Sequence, residues 1–387
     1  MKRIRFATAI PNFSKKKGGA ERYLVDLCTR MADQGNEVHV YTEHWDEEDT
    51  RICFHRVKTV PFPKSLRLLF FAVQSTGQMK KGHYDVTLGV GNTPGTDVLQ
   101  PHGGVHWAWF WRSLKAYDNP MIRAMKFMGR VLSPRQWVSG CIESTPYRNE
   151  NSPRIVAISD MVKQDMMRWY KIAEDRIAVV YNGVDIERFH PRNRRYREEI
   201  RARHEIGDEA VLLFVSNNFR MKGLSFLMRA LTLLKKEGHS FKLLVMGRDR
   251  KGPYLRLAKK LGISEETIFA GSTGQPERYY GAADMLVHPS FYDACSLTVL
   301  EALASGLPVI TSSSNGASGI LTQGKEGWVI EDPTDLEALG RAIRYFLEEG
   351  NRTEASIQGR AKAERFSEKI NFDHMKRIFN EVIEERS

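Results

Sequence analysis

Cysteine is scarce and scattered in this chain. The 387 residues include four cysteines, at Cys28, Cys53, Cys141 and Cys295. They form no CxxC pair, and no histidine stands at the spacing of a zinc site, so we expect neither a disulfide framework nor a structural metal. The sequence also has no run of about 18 apolar residues, and its apolar start is too short for a signal peptide. These absences predict a cytoplasmic protein.

Several nucleotide-binding signatures are missing as well. The GxGxxG fingerprint of dinucleotide enzymes and the GlyLysSer ending of the P-loop do not occur, which disfavours NAD and ATP. RRM, KH and zinc-finger signatures are also missing, so nucleic acid is not an expected partner. The chain nevertheless carries a formal net charge of +11. This excess indicates an anionic partner, either an acidic substrate or the anionic inner leaflet of a membrane.

Strand-like and helix-like segments alternate from end to end. This alternation is typical of α/β proteins in which βα units wind parallel sheets, and the length predicts two domains. We expect two Rossmann-like doubly wound domains, residues 1–190 and 209–365, that face a cleft and bind ligands outside the carboxyl ends of their strands. The charged stretch 191–208 is predicted to be a linker. Residues 366–387 are predicted to form a terminal helix that packs back on the N-terminal domain.

The segment from His288 to Ile310 places two carboxylates around a loop-to-helix junction. Apolar residues recur at helical spacing up to Gly306, and the start of such a helix attracts a phosphate. Small residues precede the helix at Ala294, Cys295 and Ser296. In this interpretation Asp293 faces a sugar and Glu301 reaches ribose hydroxyls. The spacing is equally compatible with an acidic N-cap and a solvated helix glutamate.

Three other loops carry candidate binding residues. Gly18 and Gly19 open a helix and leave room for backbone amides near a phosphate. Arg220 and Lys222 stand at the start of another helix, where positive charge is unfavourable unless an anion lies nearby. His102 follows a strand and would hydrogen-bond a sugar hydroxyl, with an ordinary surface histidine as the alternative.

Residues 105–140 combine tryptophan with basic side chains, as an insertion in the N-terminal domain. The residues concerned are Trp107, Trp109, Trp111, Arg112, Lys115, Arg123, Lys126 and Arg130. Rings at headgroup level and cations against anionic lipid suit a membrane or acceptor surface. The alternative is an aromatic core with basic stems that reach outward.

Taken together, these loops resemble the retaining glycosyltransferases of family 4, which have the GT-B fold. The motifs that carry the resemblance are GGAER at 18–22, FRMKG at 219–223, GAADMLVHPS at 281–290 and EALASGLPVI at 301–310. The resemblance covers nearly the whole chain. Within the family, VSNNFRMKGL and HPSFYDACSLTVLEALASGLPV are most similar to the glucosyltransferases that act on heptose in the lipopolysaccharide core.

The resemblance implies a role for each matching residue. Glu301 would hold the donor ribose, Asp293 the donor sugar, and Lys222 the departing diphosphate. The backbone amides of Cys295, Ser296 and Leu297 would cradle the distal phosphate. Gly19 would lie against the phosphates from the other domain, and Gly247 near the base. Together with His102, which is proposed from its position in a loop, Asp293 and Lys222 form the predicted catalytic set.

The resemblance also implies the substrates. A hexose, glucose from UDP-glucose, would be transferred with retention and without a metal or other cofactor. The acceptor would be a lipid-linked glycan at the inner face of the cytoplasmic membrane. Two departures leave details open: Asp293 stands where the family commonly has glutamate, and Met221 separates Arg220 from Lys222. The alternatives are a family 4 enzyme of capsule or glycolipid synthesis, and a membrane-associated nucleotide-sugar binding protein that has lost catalysis.

Overall fold

The structure of the protein is a computed structural model that describes residues 3–46, 49–60, 62–91, 93–148 and 152–386. Its internal contacts divide the chain into two compact units. Unit 1 consists of Met1–Leu114, Asn119–Asn182 and Asn371–Ser387, and unit 2 consists of Lys115–Asp118 and Gly183–Ile370.

Each unit is built on a central sheet. The strands of unit 1 are β1 (Arg5–Ala9), β2 (Asn12–Phe13), β3 (Glu37–Thr42), β4 (His44–Trp45), β5 (Ile52–Arg56), β6 (Val86–Gly89), β7 (Val98–Leu99), β8 (Arg154–Ala157) and β9 (Ile177–Val179). The strands of unit 2 are β10 (Ala210–Val215), β11 (Phe241–Met246), β12 (Thr267–Gly271), β13 (Met285–His288), β14 (Val309–Ser312) and β15 (Gly327–Ile330).

Helices connect these strands. The first six are α1 (Gly19–Asp33), α2 (Lys64–Lys80), α3 (His106–Arg112), α4 (Pro120–Val131), α5 (Pro134–Ser144) and α6 (Asp160–Tyr170). The others are α7 (Arg197–Arg203), α8 (Leu224–Lys236), α9 (Gly252–Leu261), α10 (Pro276–Ala282), α11 (Leu297–Ala304), α12 (Leu336–Leu347), α13 (Glu349–Glu364) and α14 (Glu368–Glu384).

Both central sheets are parallel and doubly wound. The seven-stranded sheet of unit 1 has the order β5-β3-β1-β6-β7-β8-β9, and the six-stranded sheet of unit 2 has the order β12-β11-β10-β13-β14-β15. Each order reverses beside the first strand of the sheet, at β1/β6 and at β10/β13. In such sheets the crevice beyond the carboxyl ends of the strands at the reversal binds the ligand. The prediction of two Rossmann-like domains is confirmed.

Apolar strands packed against amphipathic helices form the two cores. In unit 2 the alternate residues Leu212 and Phe214 of β10 pack with α8 and α12. In unit 1 the residues of α14 from Asn371 onward pack against the sheet, where the rings of Phe6 and Phe379 lie 5.4 Å apart. The terminal helix thus completes the core of unit 1.

The prediction of a linker at 191–208 is wrong. The stretch forms a 3-10 helix (Pro191–Tyr196) and α7, both within unit 2. Arg197 donates to the carboxylate of the buried Asp284 at 2.7 Å, and a guanidinium nitrogen of Arg201 lies 3.5 Å from it. These arginines are therefore structural, and unit 2 extends from Gly183 to Ile370 rather than from 209 to 365.

We predict that Asp284→Ala lowers the free energy of unfolding by about 3 kcal/mol, because it leaves two arginines and the backbone N–H of Val211 without their shared acceptor. Urea denaturation of the full chain measures this change, and hydrogen exchange should show faster exchange at 191–208. Asp208→Ala, at an exposed position in unit 2, is the matched control. Unchanged exchange at 191–208 would show that the stretch does not depend on this ion-pair network.

Candidate functional site

Two loops meet at the reversal point of the unit 2 sheet. One follows β10 and contains residues 216–223, and the other follows β13 and contains residues 289–296. They are joined by a backbone hydrogen bond of 2.8 Å from the N–H of Phe291 to the carbonyl of Met221. Phe291 is buried and packs on Phe226 of α8. The loops are therefore fixed to the helix that follows the first of them.

An ion pair spans these loops. The Nζ atom of Lys222 lies 2.6 Å from Oδ2 of Asp293 and also donates to the carbonyl of Tyr292 at 3.1 Å. Both paired side chains are less than one-fifth exposed. Burial alone would raise the pKa of Asp293, but the neighbouring ammonium holds that pKa below its usual value. Asp293 is therefore an ionised hydrogen-bond acceptor at neutral pH.

His288 lies at the end of β13, next to this ion pair. Its side chain is almost completely buried, and burial, reinforced by the charge of Lys222, lowers the pKa to about 3. The imidazole is thus neutral, and its Nδ1 atom lies 3.1 Å from the hydroxyl of Ser290. Sequence reasoning assigned no role to His288, although its position directly after a buried strand was a usable signal.

The start of α11 lies beside Asp293, as predicted. The N-cap is Ser296, and the small residues Ala294, Cys295 and Ser296 are all buried. The backbone N–H of Ser296 points to Oδ1 of the fully buried Asn315 at 3.4 Å. The carbonyl of Asp293 accepts from the N–H of Gly316 at 2.7 Å. Asn315 and its neighbours therefore fix the loop that carries Asp293. No pattern in the sequence indicated this role.

Glu301 lies on α11, one residue beyond its first turn. The hydroxyl of Tyr280 donates to its Oε2 atom at 2.8 Å, and the ring of Tyr280 is completely buried. A buried tyrosine on α10 therefore fixes the orientation of the carboxylate that the sequence nominates for the ribose. The N-cap and solvated-glutamate alternative fits this arrangement less well, since Ser296 is the cap and Glu301 is held.

Arg220 and Lys222 precede α8 instead of lying in its first turn. The helix begins at Leu224, after Gly223 with φ 78°. A Cβ atom on Gly223 would lie 2.3 Å from the carbonyl oxygen of Pro289, so only glycine allows the two loops to come this close. The guanidinium of Arg220 stacks on the ring of Tyr117 at 3.9 Å.

A pocket of about 460 Å³ lies at the carboxyl ends of β11 and β12 and includes Gly247. Phe219 and Phe269 both line the pocket, and their ring centroids lie 6.2 Å apart. Gly247 has φ 139°, and a Cβ atom there would lie 1.6 Å from the carbonyl oxygen of Ser216. Gly247 therefore lines this pocket, its position near a base stays a prediction, and the two phenylalanines were not predicted.

Unit 1 contains the predicted residues Gly18, Gly19 and His102. Helix α1 begins at Gly19 with Gly18 as its N-cap, as the sequence indicates. His102 is half-buried after β7, its Nε2 atom lies 3.1 Å from the Oε1 atom of Gln100, and its ring packs on Tyr23. Burial lowers the pKa of His102 to about 3, so the imidazole is neutral. It suits hydrogen bonding to a hydroxyl and not charge neutralisation.

The proposed membrane surface at 105–140 needs correction at several residues. Arg112 makes two hydrogen bonds, of 2.5 and 2.9 Å, to the buried carboxylate of Asp165. Arg130 donates to the carbonyl of Phe110 at 2.6 Å and stacks on Trp109 at 4.8 Å. Both guanidinium groups are committed to internal partners, because their planar donors match carboxylate and carbonyl oxygens.

The remaining predicted residues of this segment differ in exposure. Trp111 and Lys126 are exposed, whereas Trp107 and Trp109 are half-buried. Arg123 is half-buried, and Lys115 is exposed within the short part of unit 2 at Lys115–Asp118. None of the described residues of α4 is buried. The exposed apolar side chains of the segment therefore lie mostly on or beside α4, with Trp111 of α3 and Trp137 of α5 also exposed.

A glutamate of α5 anchors α3. Oε1 of Glu143 accepts from the backbone N–H of His106 at 2.9 Å and from the hydroxyl of Tyr170 at 2.7 Å. Burial raises the pKa of Glu143 to about 7, against the opposing effect of these two donors. The carboxyl group at the start of the tryptophan helix thus titrates near neutral pH.

Neither a metal-binding cluster nor a membrane-spanning helix occurs among the described residues. Within the described ranges, no group of three or more histidine, cysteine, aspartate or glutamate side chains is arranged to hold a metal ion. Over the same residues, no helix has the length and apolarity needed to cross a bilayer.

Family models match both halves of the chain. The model for glycosyl transferases group 1 matches residues 196–364, and the Glycosyltransferase Family 4 model matches residues 17–188. With the two doubly wound sheets, these matches show that the chain belongs to the group 1 and family 4 glycosyltransferases of GT-B fold. The predicted family is confirmed.

Individual relatives share about a quarter of their residues with this chain. The chain is 25% identical over 342 residues to the lipopolysaccharide glucosyltransferase WaaG of Escherichia coli K12, covering 85% of this chain and 86% of WaaG. It is 27% identical over 343 residues to the uncharacterized glycosyltransferase MJ1607 of Methanocaldococcus jannaschii, covering 84% of each.

Solved structures show the same fold. The crystal structure of WaaG aligns with a TM-score of 0.79 and 22% identity over 97% of this chain and 99% of that one. Anabaena HepE in complex with UDP-glucose aligns with a TM-score of 0.70 and 16% identity over 98% and 100%.

Glu143 generates a prediction about pH. Because its folded-state pKa of about 7 lies above the ordinary value of 4.5, its contribution to stability is fully present below pH 4.5 and is lost as the pH rises through about 7. Between these limits the wild type should lose roughly 2 kcal/mol of unfolding free energy relative to Glu143→Gln. Urea denaturation across this pH range measures the difference. Replacement of the exposed Glu381 by glutamine is the control, and parallel pH curves for wild type and Glu143→Gln would contradict the prediction.

Proposed function

We propose that the protein is a retaining, metal-independent hexosyltransferase that moves glucose from UDP-glucose to a heptose of the lipopolysaccharide core or to a similar lipid-linked glycan. The observation that carries the proposal is the largely buried Lys222–Asp293 ion pair at the reversal point of the unit 2 sheet. It places a cation and an ionised acceptor side by side at the usual ligand position of a doubly wound sheet.

The groups around this pair correspond to the successive parts of a nucleotide sugar. The pocket at Gly247 suits the base, and the Glu301 carboxylate held by Tyr280 suits ribose hydroxyls. The start of α11 and the Lys222 ammonium suit the diphosphate. The ionised Asp293 suits a sugar hydroxyl, as an acceptor and not as a proton donor.

The proposed chemistry follows from where charge develops. Breaking the bond between the anomeric carbon and the phosphate oxygen leaves negative charge on the diphosphate, and Lys222 and Arg220 would neutralise it. Positively charged groups fixed before the reaction stabilise such charge without reorganisation. In this scheme the two side chains perform the electrostatic task that a metal ion performs in other transferases. Asp293 keeps Lys222 in place and would orient the sugar.

The named substrates draw support from the relatives. WaaG is a lipopolysaccharide glucosyltransferase, and HepE has been crystallised with UDP-glucose. Other relatives of similar identity are D-inositol 3-phosphate glycosyltransferases, so the acceptor is the more specific part of the proposal. A lipid-linked acceptor fits the exposed apolar residues of α4, which would contact the inner face of the cytoplasmic membrane.

We predict that Lys222→Ala lowers kcat by at least about a hundredfold, because the departing diphosphate loses its nearest cation. Transfer from UDP-glucose to a heptose-containing core acceptor is followed by NMR, where an α-linked product reports retention. EDTA should leave the wild-type rate unchanged. Lys236→Ala, at an exposed position near the end of α8, is the control. Wild-type turnover in Lys222→Ala would refute the assignment, and the lack of any product with wild-type protein would favour a binding protein.

Glu301→Gln should raise the dissociation constant for UDP-glucose by about tenfold or more, because hydrogen bonds from hydroxyls to a carboxylate are stronger than those to an amide. Isothermal calorimetry with UDP-glucose, UDP and a GDP-sugar measures the change and tests the base. Glu337→Gln, exposed in the first turn of α12, is the control. Equal affinities in wild type and Glu301→Gln would remove Glu301 from the site, whereas tighter binding of the GDP-sugar would overturn the choice of UDP.

A further inference from the structure

Helix α2 of unit 1 exposes a continuous apolar stripe. Its exposed large side chains are Leu66, Leu69, Phe70 and Val73, and Phe62 is exposed two residues before the helix begins. The spacing of three, one and three residues places the four helical side chains on one face of the helix. The opposite face packs into the unit through buried Phe71 and Met79. The stripe is thus extra apolar surface that the fold itself does not use.

Helix α4 repeats the same arrangement. Met121, Met125, Met128 and Leu132 are exposed at spacings of four, three and four residues, with Met121 at 74% and Leu132 at 73%. The two helices belong to one unit, since α5 packs against both α2 and α3 and the ring of Phe127 on α4 lies 5.6 Å from that of Trp111 on α3. Most of the large apolar side chains left exposed among the described residues lie on or beside these two helices.

The charges on the helices that carry and adjoin the stripes are almost all positive. Helices α2, α3, α4 and α5 together contain eight lysines and arginines and one acidic residue, Glu143. The Glu143 carboxyl group is turned inward to His106 and Tyr170. Arg112 and Arg130 are committed to internal partners, and Arg67 is paired with Glu43. The exposed cations are Lys64, Lys80, Lys126 and Arg135.

We propose that α2 is a second membrane-contacting helix, which inserts its stripe beside α4 into the headgroup region of an anionic bilayer. This inference rests on the membrane association in the proposed function and extends it to an element outside residues 105–140. Two stripes give a longer apolar footprint than one helix, and the surrounding lysines meet lipid phosphates. Apolar insertion and electrostatic attraction together determine the strength of such interfacial binding.

A second copy of the chain fits this surface less well than a bilayer does. Most homodimers are related by a twofold axis, which places the same patch of each copy against itself. The exposed lysines would then face lysines, with no exposed carboxylate on these helices to separate them. An anionic bilayer supplies both the apolar depth and the opposite charge.

The experiment compares binding of the full chain to vesicles of phosphatidylglycerol and phosphatidylcholine in equal parts. The test variant is Leu66→Gln with Phe70→Gln, and Met125→Gln with Met128→Gln examines α4. The matched control is Leu255→Gln with Ile357→Gln, which alters exposed residues of α9 and α13 at 46% and 61% exposure. Circular dichroism and the thermal midpoint establish that each variant is folded. Analytical ultracentrifugation gives the oligomeric state.

We expect the α2 variant to reduce the vesicle partition coefficient by about tenfold or more, and the control to leave it unchanged. Phosphatidylcholine vesicles and high salt should weaken the binding of every variant. A folded α2 variant that binds as tightly as wild type would overturn the inference, even if the α4 variant loses binding and membrane association stands. A wild-type dimer that the α2 variant dissociates would overturn it in favour of a second copy. Vesicle binding needs neither donor nor acceptor, so failure of the donor assignments leaves this readout intact.

Discussion

The ion pair between Lys222 and Asp293 is the interaction on which the candidate site depends. Its partners come from loops that follow β10 and β13, the neighbouring strands between which the order of the unit 2 sheet reverses. An isolated buried carboxylate or ammonium would cost several kcal/mol, so each charge requires the other. The pair thereby fixes the loops and holds a cation at the carboxyl end of the sheet, where the proposed function places a diphosphate. An arriving anion would share Lys222 with Asp293 and need not displace it.

Glycine makes this closeness possible at two points. Gly223 lets the lysine loop approach the carbonyl of Pro289, and Gly247 lets the end of β11 approach the carbonyl of Ser216. At each point a side chain would collide with backbone, which cannot move aside as a flexible side chain can. The candidate site therefore depends on how closely the loops approach each other at the carboxyl end of the sheet. Backbone contacts hold these loops as much as the ion pair does. Such a frame suits a reaction whose catalysis depends on charges fixed in advance.

The sequence was a good guide wherever one local pattern determined the outcome. Apolar strands alternating with amphipathic helices predicted both sheets, and the glycine pair predicted the start of α1. It failed where a residue finds its partner far along the chain. Nothing near Arg197 indicates Asp284, and nothing near Arg112 indicates Asp165, so a linker and a membrane cation were predicted where the structure has internal ion pairs.

The same reasoning explains which parts of the site were missed. Glu301 could be found from its position in a helix, but Tyr280, which holds it, lies on another helix and looks like an ordinary core residue in the sequence. Asn315 is likewise identified only by the loops that it joins. Residues that contact a ligand can carry a motif, since ligand chemistry restricts both their type and their spacing. Residues that support them are restricted by packing alone, and packing is set by the whole fold.

In unit 1, internal packing and the exposed surface use different residues, although the sequence alone does not distinguish them. Between Trp107 and Arg130, the sequence combines three tryptophans with three arginines, which suggests a single basic aromatic surface. In the structure the arginines with carboxylate or carbonyl partners lie inward and hold α3, while methionines and lysine of α4 remain outside. Arginine suits the internal task because its planar fork satisfies several acceptors at once, and lysine suits the exposed one because its single charge stays hydrated. In this segment, arginine thus marks the internal contacts and lysine marks the exposed surface. Helix α2, with its exposed apolar stripe and flanking lysines, has the same composition as the exposed surface of α4.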